Sequence, residues 1–227
     1  MGLKESGLRG SLRNVSVGIV AIPDPDIYLQ DDWGDNKLTD REDSGTTTHN
    51  GVEGVYRPEW NTLQGSPTVT NNRVDLEGGD TIETGINVNL DNSLTIDCFD
   101  IDTSESGGSG SDQLYPFSIA ETADIAQLDE LQNGYAVEIQ GDGDMQLRET
   151  TGSDNRTAII SGTHSSGDMV RVTRTASGEW ELFSGPDEDN LTSHGTASDT
   201  THTDLEHFGI SARDENVDYD YDEVKVY

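Results

Sequence analysis

Short runs of alternating apolar and polar residues, each closed by Gly, Asn, Asp or Ser, recur along nearly the whole of this 227-residue chain. Successive side chains of a strand point to opposite faces, so such a run buries one face and leaves the other to water. Runs this short do not stand alone; they pair into sheets, and the sheets pack face to face. They fall at 27–30, 52–57, 73–76, 80–84, 93–101, 114–120, 135–140, 144–148, 156–161, 168–175, 179–184, 207–213 and 219–227. Turn clusters separate them at the spacing of a β-sandwich. Asp142-Gly143 and Ser177-Gly178 predict tight hairpin turns. Thr103 to Asp112 reads as a Gly/Ser loop, and 185–204 as a second polar loop region. One helix is predicted over 123–132, where Ile125, Leu128 and Leu131 share a face between a Thr122 cap and Gly134. The expected fold class is all-β, a two-sheet antiparallel sandwich.

Charge narrows the function classes. The chain carries 45 acids against 13 cations, a net charge of −32. Self-repulsion of that size opposes a compact state in dilute buffer, whereas at molar salt the Debye length falls to about 3 Å and the repulsion is screened. Lys4, Lys37 and Lys225 are the only lysines. Acid excess with scarce lysine points to a salt-saturated solvent. No basic stripe is present to neutralise phosphates, so nucleic acid is not an expected partner. No run approaches the roughly 18 apolar residues of a membrane helix, and the opening residues lack the apolar stretch of a secretory signal. Cys98 is the only cysteine and cannot form an intrachain disulfide; inside Leu94–Phe99 it reads as a small core residue. Residues 1–25 stand apart as an N-terminal arm. Lys4, Arg9 and Arg13 outnumber Glu5 over residues 1–22, and Pro23 and Pro25 mark a hinge.

Several segments resemble one fold family. The ending Asp222-Glu223-Val224-Lys225-Val226-Tyr227 is similar to the closing strand of laminin-G-like, concanavalin A-like jelly rolls. Asp40–Gly45 with His49-Asn50-Gly51 resembles that family's early D-S-[ST]-G…H-N-G segment, and Arg73–Asp80 its central hairpin. Ser93–Ile96 with Phe99 looks like its S-F-T-[IV]-x-x-W strand. Val170–Arg174 and Glu179–Phe183 look like its V-A-V-T-R…W-x-L-Y hairpin. The resemblance implies a jelly-roll sandwich over 26–227. Laminin-G-like folds often carry calcium, and this implies Asp222, with Asp220 beside it in the sequence, as a candidate ligand. A second resemblance lies in residues 2–17, which are similar to the leader of laminin-G-like proteins encoded by haloarchaea and their tailed viruses.

The residues show no catalytic apparatus. Retaining glycosidases on this sandwich need two carboxylates about 5–5.5 Å apart, and no E-x-D-x-x-E run is present. His49, His164, His194, His202 and His207 show no zinc spacing, and no G-x-S-x-G or P-loop occurs. Asp218, Asp220 and Asp222 alternate along one strand face, and three carboxylates there call for screening or a cation; Asp142 and Asp144 form the second candidate calcium pair. Sugar binding uses aromatic platforms beside polar groups, and Trp33, Trp60 and Tyr115 are the candidates outside obvious core alternation; Trp180 reads as core.

The leading expectation is a non-enzymatic structural protein of a haloarchaeal tailed virus, exposed on the virion as a tail fibre, baseplate or capsid turret and touching host glycans or the surface layer. Leu3, Leu8, Leu12, Val15, Val17 and Ile19 would anchor the arm on other virion proteins or on copies of the chain in a cyclic homo-oligomer; the alternative is an edge strand added to its own sandwich. The rival expectations are a calcium-stabilised carbohydrate-binding module of a cell-surface protein and, behind it, a glycoside hydrolase.

Overall fold

The computed structural model describes residues 29–39, 45–49, 52–56, 58–90, 93–103, 113–121, 133–152, 155–213 and 218–227; for 45–49, 52–56 and 218–220 it describes the backbone alone. The arm, with Leu3, Leu8, Leu12, Val15, Val17 and Ile19, and the helix expected at 123–132 lie outside these residues.

Every regular element among the described residues is a strand. They are β1 (Leu29–Asp31), β2 (Gly45–His49), β3 (Val52–Tyr56), β4 (Asn61–Gln64), β5 (Thr68–Thr70), β6 (Arg73–Glu77), β7 (Thr81–Asn89), β8 (Leu94–Phe99), β9 (Gln113–Ala120), β10 (Gly134–Gln140), β11 (Asp144–Thr150), β12 (Arg156–Thr163), β13 (Met169–Arg174), β14 (Glu179–Gly185), β15 (Thr192–Ser198), β16 (Asp204–Arg213), β17 (Asp218–Tyr221) and β18 (Glu223–Val226). Eight form one sheet in the order β15-β14-β13-β8-β18-β1-β3-β2, and seven form the other in the order β12-β11-β10-β9-β16-β7-β4. A small sheet, β17-β6-β5, adjoins them. The expected all-β jelly-roll sandwich is the observed fold. One pairing departs from antiparallel, since β1 runs parallel to β3.

The inner faces follow the alternation read from the sequence. Leu94, Ile96, Val170, Val172, Leu182 and Val224 of one sheet share a single buried cluster with Ile82, Phe117, Ile119, Val137, Leu147 and Ile210 of the other. Asp142-Gly143 and Ser177-Gly178 turn the β10–β11 and β13–β14 hairpins, with Gly143 and Gly178 at φ of 90° and 84°. The run 219–227 is not one strand. β17 joins the small sheet, while β18 lies between β1 and β8, and the break falls at Asp222, whose N–H turns to Phe99 O at 3.2 Å. The polar stretch 185–204 is likewise not all loop, because β15 pairs with β14 at the edge of the larger sheet.

Two aromatic expectations are overturned here. Trp33 and Trp60 are fully buried, with ring centroids 5.2 Å apart, and Trp60 meets Phe208 edge-on at 6.1 Å. Burying an indole requires a partner for its N–H. Asp31 supplies one to Trp60, whose Nε1 donates to Oδ2 at 2.6 Å, while Asp31 Oδ1 accepts the Trp33 backbone N–H at 2.9 Å. These rings are core and present no face to a sugar. Cys98 is buried as expected, and burial pushes its thiol far above the ordinary range, which removes it as a nucleophile.

Candidate functional site

One proline decides which way the key side chain points. Pro116 lies inside β9 and has no N–H for a ladder, so in a sheet it belongs at a bulge. Both ladders of β9 slip there, against β10 between Val137 and Ile139 and against β16 between Gly209 and Ser211. Leu114 and Phe117 both remain in the core. Tyr115, between them, turns to the outer face of the seven-stranded sheet and packs with Ala136 apart from the main core. The bulge thus re-aims one side chain, as bulges commonly do.

Outward positions of the neighbouring strands gather around the Tyr115 hydroxyl. It lies 3.1 Å from Gln113 Oε1 and 3.1 Å from Glu138 Oε2, and it accepts a hydrogen bond from Arg156. Glu138 sits in β10 between inward-facing Val137 and Ile139 and has a side chain with no exposure. Its Oε1 accepts Gln140 Nε2 at 2.9 Å and Arg148 at 3.0 Å. Arg148 Nε also stands 2.8 Å from Oε2, off the hydrogen-bond line. Arg213, at the end of β16, donates to Gln113 Oε1 at 3.1 Å. Burial, then the Glu138 carboxylate beside it, push the Tyr115 hydroxyl far above its ordinary range, so it stays protonated. The ring of Tyr115 is fully buried, so it is a floor residue that works through its hydroxyl and not the aromatic platform expected of it.

Beside this floor runs a row of buried hydroxyls. Tyr115 pairs across the sheet with Ser211, and Ser211 with Thr81. Ser118 lies one step along β9, opposite Gly209. The hydroxyls of Thr81, Ser118 and Ser211 are buried with no hydrogen-bond partner among the described residues. A buried hydroxyl left this way costs roughly 1–3 kcal/mol, and with Thr81 and Ser211 fully buried and Ser118 nearly so, this row lies beneath the surface. His207 Nδ1 closes the row 3.7 Å from Glu83 Oε2.

The two buried carboxylates on this face are not a glycosidase pair. Three strand spacings and a two-residue offset separate Glu83 from Glu138, which is roughly 15 Å, against about 5–9.5 Å for the known mechanisms. A second candidate also fails as chemistry. Ser184 Oγ lies 2.8 Å from His194 Nε2 and donates at 2.8 Å to Thr163 O. Its one hydrogen is spent on the carbonyl, so His194 must donate to it and cannot act as its base. This pair instead fastens the edges of the two sheets, where β12 meets β14 and β15.

A third polar cluster closes one end of the sandwich. His202 Nε2 lies 3.0 Å from Glu149 and its Nδ1 3.4 Å from Glu121. Tyr135 donates to Asp199 at 2.6 Å and packs on Trp180 at 4.4 Å between centroids. Trp180 is core, as expected. All of these groups satisfy one another.

Asp142 and Asp144 do not gather the oxygen set that calcium takes, and the side chain of Asp220 lies outside what the structure describes. Asp142 and Asp144 are exposed on the β10–β11 turn, and Asp142 Oδ1 accepts the Asp144 N–H at 3.3 Å. Asp220 lies in β17 opposite Asp75. Asp222 sits near Arg73, Asp100 and Glu223, and burial raises its carboxyl above the usual range. No group of three His, Cys, Asp or Glu side chains converges as a metal site among the described residues.

The fold has relatives among solved structures. The legume lectin-like domain from Entamoeba histolytica superposes with a TM-score of 0.55 at 12% identity, covering 74% of this chain and 89% of that one. The carbohydrate recognition domain of Emp46p in its potassium-bound form gives 0.55 at 10%, covering 74% and 88%. The exoplasmic/lumenal domain of VIP36, in its Ca2+/Man3GlcNAc-bound form, gives 0.53 at 11%, covering 74% and 83%. At these identities the likeness is one of fold. No family model and no curated protein matches the sequence.

Sequence reasoning named only Tyr115 of this site. Gln113, Glu138, Gln140, Arg148, Arg156 and Arg213 come from five strands, and no local motif joins them. One signal was readable. The Asp142-Gly143 turn sets the β10–β11 register, Glu138 opposite Gln146, which puts Glu138 and Arg148 on one face as a diagonal pair.

Proposed function

We propose that this chain is a non-enzymatic carbohydrate-binding domain that presents the outer face of its seven-stranded sheet to a glycan. The carrying observation is the cluster of partly exposed polar side chains, Gln113, Gln140, Arg148, Arg156 and Arg213, gathered over the Tyr115–Glu138 floor. A sugar is a dense set of hydroxyl donors and acceptors, which the partly exposed donors of Arg148, Arg156 and Gln113 would meet. The legume lectin-like fold supports the reading, and so does the wide separation of Glu83 and Glu138, which is too great for a glycosidase pair. Calcium is not needed for this mode of binding.

The test is a glycan array probed with the full chain at about 1 M NaCl, followed by calorimetry on the best ligand and chromatography of the recovered sugar. Binding that weakens in Gln113→Ala and returns the glycan intact is expected. No binding to any glycan, or cleavage that disappears on changing one Asp or Glu, overturns it. Display on a virion surface is a further step that rests on the resemblance of residues 2–17. It predicts that a chain lacking residues 1–25 folds but no longer joins a particle.

A further inference from the structure

Among the described residues, the guanidiniums elsewhere in the fold have partners of their own. Arg73 meets Asp100 at 3.0 Å. Arg171 bonds both oxygens of Asp97, at 2.6 and 2.7 Å. Arg174 is held by the Leu90 carbonyl and lies over Trp180. Arg148 and Arg156 differ, because both lean on one carboxylate. Glu138 Oε2 is 2.8 Å from Arg148 and 3.8 Å from Arg156. In a chain of net charge −32, this places a local positive excess on the outer face of the seven-stranded sheet.

The bonding on that face is unequal in a useful way. Glu138 is saturated, with Gln140 and Arg148 on Oε1 and Tyr115 on Oε2. It is a fixed counter-charge that orders the two arginines and cannot neutralise both. A guanidinium carries five N–H donors. Arg148 spends one on Glu138 and Arg156 one on Tyr115, so each keeps most of its donors. Both side chains remain reachable, at 17% and 18% exposure, above a carboxylate with none. Two pre-set forks with unspent donors suit a planar anion held by paired hydrogen bonds, the geometry in which arginine surpasses lysine.

We propose that Arg148 and Arg156 form an anchoring subsite for the anionic group of an acidic glycan, a uronate carboxylate or a sulfate ester, with the sugar's hydroxyls lying toward Gln113 and Gln140. This assignment rests on the carbohydrate-binding reading and adds the ligand's charge class to it. Gln113 and Gln140 flank the subsite and offer amides to ring hydroxyls.

Calorimetry at about 1 M NaCl, where long-range charge is screened, tests it with three probes: tetragalacturonate, neutral galactotetraose and a sulfated galactotetraose. Tetragalacturonate or its sulfated counterpart is expected to bind at least about tenfold tighter than galactotetraose, and the better of the two names the anion. Arg148→Gln and Arg156→Gln should each collapse that ratio toward one, whereas Lys225→Gln on the other sheet should leave it intact. If an arginine variant fails to fold, the wild-type guanidinium NMR signals decide the matter, since they should shift with the acidic sugar and not with the neutral one. Equal affinities, or a preference that survives both arginine changes, overturn the subsite while leaving the carbohydrate reading in place. No binding by these probes or by any glycan on the array overturns both.

Discussion

Replacing Trp60 by Phe separates a core role from a binding role. The ring is fully buried, and its Nε1 donates to Asp31 Oδ2 at 2.6 Å. Asp31 is itself fully buried and keeps the Trp33 backbone N–H at 2.9 Å. Losing a hydrogen bond to a buried charged group costs roughly 1.5–3 kcal/mol. The smaller Phe ring also leaves a void beside Trp33 and Phe208, which adds about 1–2 kcal/mol because a packed interior relaxes only partly. The expected loss is therefore about 2.5–5 kcal/mol, or a fall in Tm of about 5–20 °C for a domain of this size. Circular dichroism melting at about 1 M NaCl measures it, and calorimetry on the same sample reads glycan affinity. A stability loss under about 1 kcal/mol together with lost binding would refute the placement of Trp60 in the core and restore it as a sugar platform.

Further outcomes follow from the charge pattern and from the buried histidine. The body should loosen as salt falls well below about 1 M, because the Debye length then exceeds the spacing of surface carboxylates; a Tm that does not move between dilute and molar salt contradicts this. His164 is buried with Nδ1 unpartnered among the described residues, and burial lowers its pKa from 6.5. The folded state thus takes up its proton at lower pH than the unfolded state. The stability this histidine contributes is present above about pH 6.5 and is lost as pH falls through its folded pKa, with a slope of at most about 1.4 kcal/mol per pH unit. His164→Gln should flatten that limb of the melting profile, and an unchanged slope assigns the acid sensitivity elsewhere. Calcium should raise Tm no more than magnesium at equal ionic strength, since Asp142 and Asp144 are exposed and already engaged in their own turn; a calcium-specific rise of several degrees would return the ion to the fold.

Strands that pack on both sides were legible, and of the strands at sheet edges only β12 and the β17 part of the run 219–227 were. β8, β10, β11, β13, β14 and β16 carry alternating apolar residues because each faces the core between two neighbours. β2, β4, β5 and β15 escaped notice, and each lies at the edge of its sheet. β15 reads Thr-Ser-His-Gly-Thr-Ala-Ser, and none of its side chains is buried. An edge strand is held largely through its backbone, so its side chains carry little pattern. Trp33 and Trp60 were misread for a related reason. They lie in or beside turns, where alternation says nothing, and the carboxylate that lets Trp60 sink is 29 residues away. The binding face shows the same limit, because its members meet through register across β16, β9, β10, β11 and β12, and register is not written in any single strand.

The buried acids and the exposed ones have separate tasks, and that division predicts how an anionic ligand should respond to salt. Asp31, Asp80, Asp97, Glu138 and Glu149 are the deeply buried carboxylates with named donors: Trp60, the backbone of Ser66 and Glu77, Arg171 with Tyr227, Arg148 with Gln140, and His202. Apart from Glu83, the other acids with described side chains are exposed or half-buried. At about 0.1 M salt the Debye length is near 10 Å, and an approaching uronate is repelled by the whole chain. At about 1 M it shrinks to roughly 3 Å, and the ligand senses only the guanidiniums it touches. Contact hydrogen bonds from Arg148 and Arg156 survive that screening better than distant repulsion does. Tetragalacturonate affinity should accordingly rise with salt over the range in which circular dichroism shows the chain folded, while galactotetraose affinity stays nearly level. An affinity for the acidic sugar that falls steadily as salt rises would mean that the ligand is drawn from a distance to a basic surface, which the described residues do not contain, and the subsite would have to lie elsewhere.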